Sequence, residues 1–186
     1  MTKTTLILLT SALMGLIIAC NKGKNNPESC NGENTRRAIK ICVDGDTPAI
    51  DTIPVLTDVV SFGQIEVPEA EKESPRLAAE KQVYTITAKV HKLSKHRDGD
   101  WKVKLTDDND HFVNCEAPNM GCKYIEGSIF FDQMKTARQW IESNKDDLVG
   151  KTVTITGVAF IDIDHKYPRN AAENEMELHP ILEISF

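Results

Sequence analysis

The sequence predicts a mainly β domain with a single helix, in the order three strands, helix, two strands, behind a long irregular segment. Three observations lead to this prediction. After residue 82, apolar and polar residues alternate in several short runs, and in one further stretch the apolar residues recur at helical spacing. Residues 21–81, in contrast, show no sustained apolar period. The chain has 186 residues, which suits one ordinary domain preceded by a tether.

Alternating residues define the first three strands. Two runs in which every second residue is apolar predict a hairpin that turns at Asp98-Gly99. The apolar residues are Tyr84, Ile86, Ala88 and Val90 in the first run and Trp101, Val103 and Leu105 in the second. Residues 112–116 predict the third strand, after a second turn at residues 107–110.

The helix is predicted between the third and fourth strands, behind Ser128 as an N-cap. Its apolar residues recur at helical spacing and are Phe130, Met134, Ala137 and Ile141. The fourth strand covers residues 151–161, and a change of apolar phase at Gly157 predicts a β-bulge there. The last strand ends the chain, and Pro180 within it indicates an edge or a bulged position.

Five strands with a helix between the third and the fourth are the arrangement of the OB-fold barrel. A generic α+β sandwich is the alternative. We place the OB-like domain at residues 82–186 and expect residues 20–81 to be a flexible tether, because this segment carries five prolines and runs of Asn, Glu and Lys.

The first twenty residues have the composition of a secretion signal. One basic residue precedes an apolar run over residues 6–19, which is shorter than the roughly 20 residues that cross a bilayer. Ile17-Ile18-Ala19-Cys20 resembles the bacterial lipoprotein signal box. The resemblance implies removal of residues 1–19 and acylation of Cys20, for instance by palmitate. Membrane lipid would then anchor the protein in the cell envelope, with a periplasm-facing position as the default.

The remaining four cysteines are an even number in a chain expected to be exported, which predicts disulfides. Four cysteines permit three connectivities. Closeness in sequence favours Cys30 with Cys42 and Cys115 with Cys122. The chain has no C-x-x-C motif, and neither pair has a histidine at zinc-like spacing, so we expect no cysteine metal site.

Residues 83–186 also resemble small, largely uncharacterised bacterial domains that carry an Asp-Gly-Asp hairpin and end in a motif like Asn-x-Ile-Glu-Leu-His-Pro. The hairpin here is Asp98-Gly99-Asp100, and the closing motif covers residues 174–180. Lys102 stands where the pattern has a histidine, and Met176 replaces its isoleucine. The resemblance implies a shared fold and brings no established activity with it.

Glu177 and His179 are the leading candidates for a site. Because they alternate with core residues, both should point out of one face, about 7 Å apart along the strand. A carboxylate and an imidazole in this position can hold a metal or share a proton. His165 from the preceding loop would join them, as would Glu116 if the last strand lies beside the third. The alternative that we favour is a surface pair that braces this loop through hydrogen bonds.

A second candidate is the basic first hairpin, which includes Lys102 and Lys104. OB-folds often bind oligonucleotides or oligosaccharides across their second and third strands. The net charge of −6 argues against nucleic acid, because such binding depends on neutralised phosphates.

The sequence contains no standard catalytic signature. We therefore expect a non-catalytic binding or accessory module, with a protein or an oligosaccharide as ligand, and with no cofactor and no bound metal. The alternative is a metal-dependent hydrolase that uses His165, Glu177 and His179.

Overall fold

The chain forms a closed, mainly β barrel with one long helix. The computed structural model describes residues 36–163 and 170–186. The strands are β1 (Asp51–Thr57), β2 (Gln82–Lys95), β3 (Trp101–Thr106), β4 (Phe112–Ala117), β5 (Thr152–Ile161) and β6 (Met176–Ser185). The α-helices are α1 (Arg37–Lys40), α2 (Val59–Gly63) and α3 (Phe131–Asn144). Single 3-10 turns cover Thr47–Ala49, Ala78–Lys81 and Ile125–Gly127.

Strands β2 to β6 close the barrel. Neighbouring strands pair in the order β2, β3, β4, β6, β5, and β5 returns to pair with β2. All these pairs are antiparallel except β4 with β6, which is parallel. With α3 between β4 and β5, this is an OB-like barrel, so the predicted fold is confirmed and the sandwich alternative is excluded. The edge strand β1 adds to β2 in parallel.

The β-bulge predicted at Gly157 is present, because the register between β5 and β6 shifts on both sides of it. A Cβ at Gly157 would lie 2.9 Å from the Leu178 Cβ and 2.9 Å from the Pro180 carbonyl oxygen, so only glycine fits. Pro180 therefore lies opposite the bulge. The edge alternative for Pro180 is wrong, since β6 lies between β4 and β5.

Helix α3 begins later than predicted, because Phe130 is its N-cap and Ser128 instead accepts a hydrogen bond from the Phe130 amide at 3.3 Å. Of the helices within the described ranges, α3 is the longest at 14 residues, and none combines the length and apolar character that crossing a membrane requires.

Residues 36–81 are part of the domain. They contain α1, β1 and α2, and they bury apolar side chains such as Ile39, Ile41 and Phe62. The expected flexible tether over residues 20–81 is therefore wrong from residue 36 onward. The elements here are only three to seven residues long, which is too short for an apolar period to show in the sequence.

Two buried arginines organise this segment, and one of them, Arg36, joins it to the barrel. Arg36 pairs with Glu80 and donates to the Ile161 carbonyl oxygen of β5 at 2.7 Å. Arg76 binds both carboxylate oxygens of Asp44, at 2.7 and 3.1 Å, and also donates to the Ile39 carbonyl oxygen at 2.8 Å. Such forked contacts are among the stronger hydrogen bonds in proteins.

The two predicted disulfides, Cys30 with Cys42 and Cys115 with Cys122, do not form. Cys42 and Cys115 are both free and buried. Cys115 points from β4 into the barrel core, whereas Cys122 belongs to a second apolar cluster beneath residues 41–50. The pairing predicted from closeness in sequence is therefore wrong, because the side chains of Cys115 and Cys122 belong to different apolar clusters. Cys30 lies outside the described residues, as does Cys20.

The bond between Asp44 and Arg76 predicts a measurable loss of stability in acid. Burial acts to raise the pKa of Asp44, but its hydrogen bonds to Arg76 and Thr47 and the charge of Arg76 outweigh this, so the pKa is lowered. Because the pKa of Asp44 is lower in the folded state, its ionised form stabilises the folded protein at pH values above the ordinary aspartate pKa of about 4. This stabilisation disappears as the pH falls through the pKa of Asp44 in the folded state.

We therefore expect Asp44→Asn to destabilise the protein most near pH 7, with the difference from wild type shrinking as the pH falls below about 4. Urea unfolding at pH 7, 4 and 3 measures this. Asp146→Asn, at an exposed position, removes the same charge and serves as control. An Asp44→Asn effect of equal size at every pH would contradict the assignment.

Candidate functional site

A group of charged residues, most of them buried, covers the outer face of β3, β4 and β6. We call it the charged cluster, and its members are Arg37, Lys40, Asp100, Lys102, Glu116, Glu177 and His179. Strand register brings them together. Lys102 pairs with Glu116 across β3 and β4, and the parallel pairing of β4 with β6 places Asn114 beside Glu177.

His179 lies at the centre of the charged cluster and is fully buried. Its Nδ1 is 3.3 Å from Glu116 Oε2 and 3.3 Å from Glu177 Oε1. Its Nε2 lies 3.6 Å from Asp100 Oδ2. The ring also packs edge-on against Phe160, with centroids 6.0 Å apart. The imidazole therefore has carboxylates at both of its nitrogens.

Each carboxylate of the charged cluster also faces a cation. Lys102 Nζ lies 2.7 Å from Glu116 Oε1, and Lys40 Nζ lies 3.1 Å from Glu177 Oε1. Arg37 binds both oxygens of Asp100, at 2.6 and 3.1 Å. Burying a charge is costly unless it is paired, so these contacts allow the carboxylates to stay ionised under the cover of α1.

Helix α1 supplies this cover. Arg37 and Lys40 are three residues apart and so share one side of the helix. Lys40 Nζ also lies 4.9 Å from the centroid of the Phe160 ring, which places the ammonium group over a side chain of β5. As a result Glu116, Glu177 and His179 are at most 3% exposed.

The charges set the protonation of the charged cluster. Burial raises the pKa of Glu116, but Lys40, His179 and Lys102 together hold it well below its usual range. For His179, burial and the charge of Lys40 act to lower the pKa, yet the hydrogen bonds to Glu116 and Glu177 leave it raised. Burial, with the carboxylates of Glu177 and Glu116 nearby, raises the pKa of the Cys115 thiol, so no thiolate is supplied from β4.

The Asp-Gly-Asp hairpin positions Asp100. Gly99 has a φ of 89°, and a Cβ there would meet the Asn119 side chain at 2.6 Å. The Asn119 amide donates to Asp100 Oδ1 at 2.7 Å. Arg138 of α3 donates to the carbonyl oxygens of Gly99 and Pro118, at 3.0 and 2.8 Å. Both carboxylate oxygens of Asp100 are thus held in a fixed orientation.

Three buried polar atoms of the charged cluster have no hydrogen-bond partner among the described residues: Arg37 Nε, Glu177 Oε2 and His179 Nε2. Buried polar groups are nearly always satisfied in native proteins, so each exception calls for an explanation. Asp100, Glu116 and His179 can each present one ligand atom such that all three atoms lie within 4.8 Å of one another.

The structure brings together most of the residues that the sequence proposed for a site. Glu177 and His179 share one outer face, and Glu116 joins them because β6 pairs with β4. They lie beneath α1, however, so the expected surface position is wrong. Lys102 belongs to the charged cluster. Lys104 points elsewhere, since it donates to the Asn170 carbonyl oxygen, and His165 lies outside the described residues.

The sequence did not predict the contributions of Arg37, Lys40 and Arg138, and Asp100 was not among the proposed site residues. Arg37 and Lys40 were missed because they lie in the segment assigned to the tether. The available signal was two basic residues three apart, next to the apolar Ile39 and Ile41. This pattern is typical of a short helix with one charged side.

No family model and no curated protein matches the chain. Among solved structures it is similar to asparaginyl-tRNA synthetase of Entamoeba histolytica, with a TM-score of 0.43 and 13% identity, over 73% of this chain and 24% of that chain. The same enzyme in complex with asparaginyl-adenylate gives a TM-score of 0.39 and 12% identity, over 71% and 23%. The chain thus spans about a quarter of the length of these synthetases.

The pairing of Lys40 with Glu177 can be tested by a double-mutant cycle. Lys40→Met should destabilise the protein by about 3 kcal/mol, because it leaves a buried carboxylate without its nearest cation. Adding Glu177→Gln should recover about 1 kcal/mol or more of this loss. The exposed pair of Lys89 and Asp108 provides the matched control, and Lys89→Met should cost less than about 1 kcal/mol. Equal effects of the two lysine changes in urea unfolding would contradict the burial of Lys40.

Proposed function

We propose that this protein is a lipid-anchored component of the cell envelope and that its OB-like barrel acts as a non-catalytic binding or accessory module. The signal-like segment ending at Cys20 supports the location. The observation that carries the second part is the internal pairing of the charged cluster. Its carboxylates are buried and bound to Arg37, Lys40 and Lys102, whereas an acid or base in catalysis must reach a substrate.

A protein or an oligosaccharide remains the proposed class of ligand. Nucleic acid is disfavoured because the two candidate lysines of β3 have other partners. Lys102 is bound to Glu116, and Lys104 donates to a backbone carbonyl oxygen. These contacts support the expectation drawn from the net charge of −6, since phosphate recognition needs available cations.

The second candidate function is a metal-dependent hydrolase, for which the sequence suggested His165, Glu177 and His179. The observation that favours it is the convergence of Asp100, Glu116 and His179 on one point. Metal-stimulated hydrolysis by the full chain, abolished in Asp100→Asn and Glu116→Gln, would establish this function in place of a binding role.

Anchoring through Cys20 is tested directly by replacement. Cys20→Ala should move the protein from the membrane fraction to the soluble fraction and abolish incorporation of labelled palmitate, because acylation is the proposed anchor. Cell fractionation and acyl labelling provide the readouts. Cys42→Ala, which removes a buried thiol, is the control and should stay in the membrane fraction. Membrane retention of Cys20→Ala would show that another anchor holds the protein.

Elimination also revises the disulfide proposal. With Cys42 and Cys115 free, and Cys20 acylated, Cys30 and Cys122 are left to pair. The distance is compatible, since Arg37 Nη2 lies 3.2 Å from Cys122 Sγ and Cys30 is only seven residues before Arg37.

We expect a single linked peptide, Cys30 with Cys122, in protein isolated without reduction from the envelope. Mass spectrometry after alkylation of free thiols measures it. Cys42 and Cys115 should react with the alkylating agent only after unfolding, because both are buried. Ready alkylation of Cys122 in the unreduced, unfolded chain would rule the bridge out.

A further inference from the structure

We propose that Asp100, Glu116 and His179 form a binding site for one divalent transition-metal ion of the Zn²⁺ type. These residues come from the hairpin, from β4 and from β6, and their ligand atoms already lie within 4.8 Å of one another. The ligand set includes Asp100, which the sequence did not group with His179. The proposal does not depend on membrane anchoring or on catalysis.

The unsatisfied Nε2 of His179 is the observation that points to a ligand. This atom is completely buried, has no hydrogen-bond partner among the described residues, and faces Asp100 Oδ2 at 3.6 Å. The opposite nitrogen, Nδ1, lies 3.3 Å from Glu177 Oε1 and 3.3 Å from Glu116 Oε2, so Glu116 lies beside the ring and would turn its carboxylate toward the ion. Histidines that bind metal usually donate the other ring N–H to a carboxylate, which fixes the tautomer and turns the free nitrogen toward the ion. Glu177 is placed to act as this positioning residue.

The charge of the proposed ligand set suits a dication. Asp100 and Glu116 are both buried carboxylates. Two anionic ligands together with one neutral imidazole balance the charge of one divalent ion.

The donor set indicates the class of metal. One imidazole nitrogen with two carboxylates suits Zn²⁺ and neighbouring first-row ions, while sites for Mg²⁺ and Ca²⁺ are built from oxygen ligands. Thiolate ligands are not expected, because Cys115, the neighbour of Glu116 in β4, points into the barrel core and its burial raises the pKa of its thiol. A site of three protein ligands leaves a further coordination position for water or a ligand group.

Lys102 competes with the ion for Glu116. Its ammonium group lies 2.7 Å from Glu116 Oε1, and its side chain is 15% exposed. Because the side chain is long and reaches the surface, its ammonium group can move into solvent when metal binds. Lys102 therefore limits affinity. Its removal should strengthen metal binding, an effect that a purely structural ion-pair network would not produce.

The test uses the full chain, purified in detergent micelles and freed of metal with a chelator. Co²⁺ is the spectroscopic probe, and Zn²⁺ is then added as a competitor in calorimetry. We expect one equivalent of Co²⁺ to bind with visible absorption bands and without thiolate charge-transfer bands, and Zn²⁺ to displace it. Asp100→Asn and Glu116→Gln, which preserve side-chain size, should each weaken binding by about tenfold or more.

His179→Ala should lose the Co²⁺ spectrum, while His111→Ala, which alters a partly exposed histidine, should retain it. Lys102→Met should bind about tenfold more tightly than wild type. Thermal unfolding of each metal-free variant identifies any variant that fails to fold. If His179→Ala does not fold, Asp100→Asn and Glu116→Gln test the metal site in its place. The proposal is overturned if the folded wild type takes up no stoichiometric Co²⁺ or Zn²⁺, or if folded Asp100→Asn and Glu116→Gln bind both ions as tightly as wild type.

Discussion

The enclosure of charge between α1 and the barrel governs how this domain is built. Glu116, Glu177 and His179 are almost completely removed from water, and an unpaired charge in that position would cost several kcal/mol. Among the described residues of the barrel strands, Lys102 is the lysine that contacts these carboxylates, and Lys40 and Arg37 of α1 supply further cations. The segment that precedes the barrel in sequence is thus a structural part of it.

This arrangement changes the use of the barrel face. In OB-folds the second and third strands commonly carry the ligand surface, and here they correspond to β3 and β4. The chain covers part of the same face with its own helix α1, which the bond from Arg36 to the Ile161 carbonyl oxygen joins to β5. A small ion can fit beneath such a cover, whereas an oligomer cannot lie across it. The proposed metal site and the disfavoured nucleic-acid role both follow from this closure.

The strands and α3 were predictable because their signals are local. Alternation gave the strand faces, and the change of phase at Gly157 marked a bulge that the close approach of Leu178 and Pro180 explains. The face shared by Glu177 and His179 followed from the same alternation. The segment before β2 was not predictable in this way, because its short elements are held by contacts distant in sequence, such as Arg76 with Asp44. The prediction of the disulfide pairing was wrong for a related reason, since Cys115 and Cys122 are close in sequence but lie in different apolar clusters.

Native-state hydrogen exchange of residues 36–43 in the full chain tests the central claim most directly, because it reports whether α1 closes the charged cluster in solution. The amides of Lys40, Ile41 and Cys42 donate to backbone carbonyl oxygens at about 3.1 Å. The account predicts that they exchange slowly, with opening free energies close to those of β4 and β6. Exchange of these amides at the rates of an unfolded peptide, while the barrel strands stay protected, would show that α1 is a tether and would contradict the account.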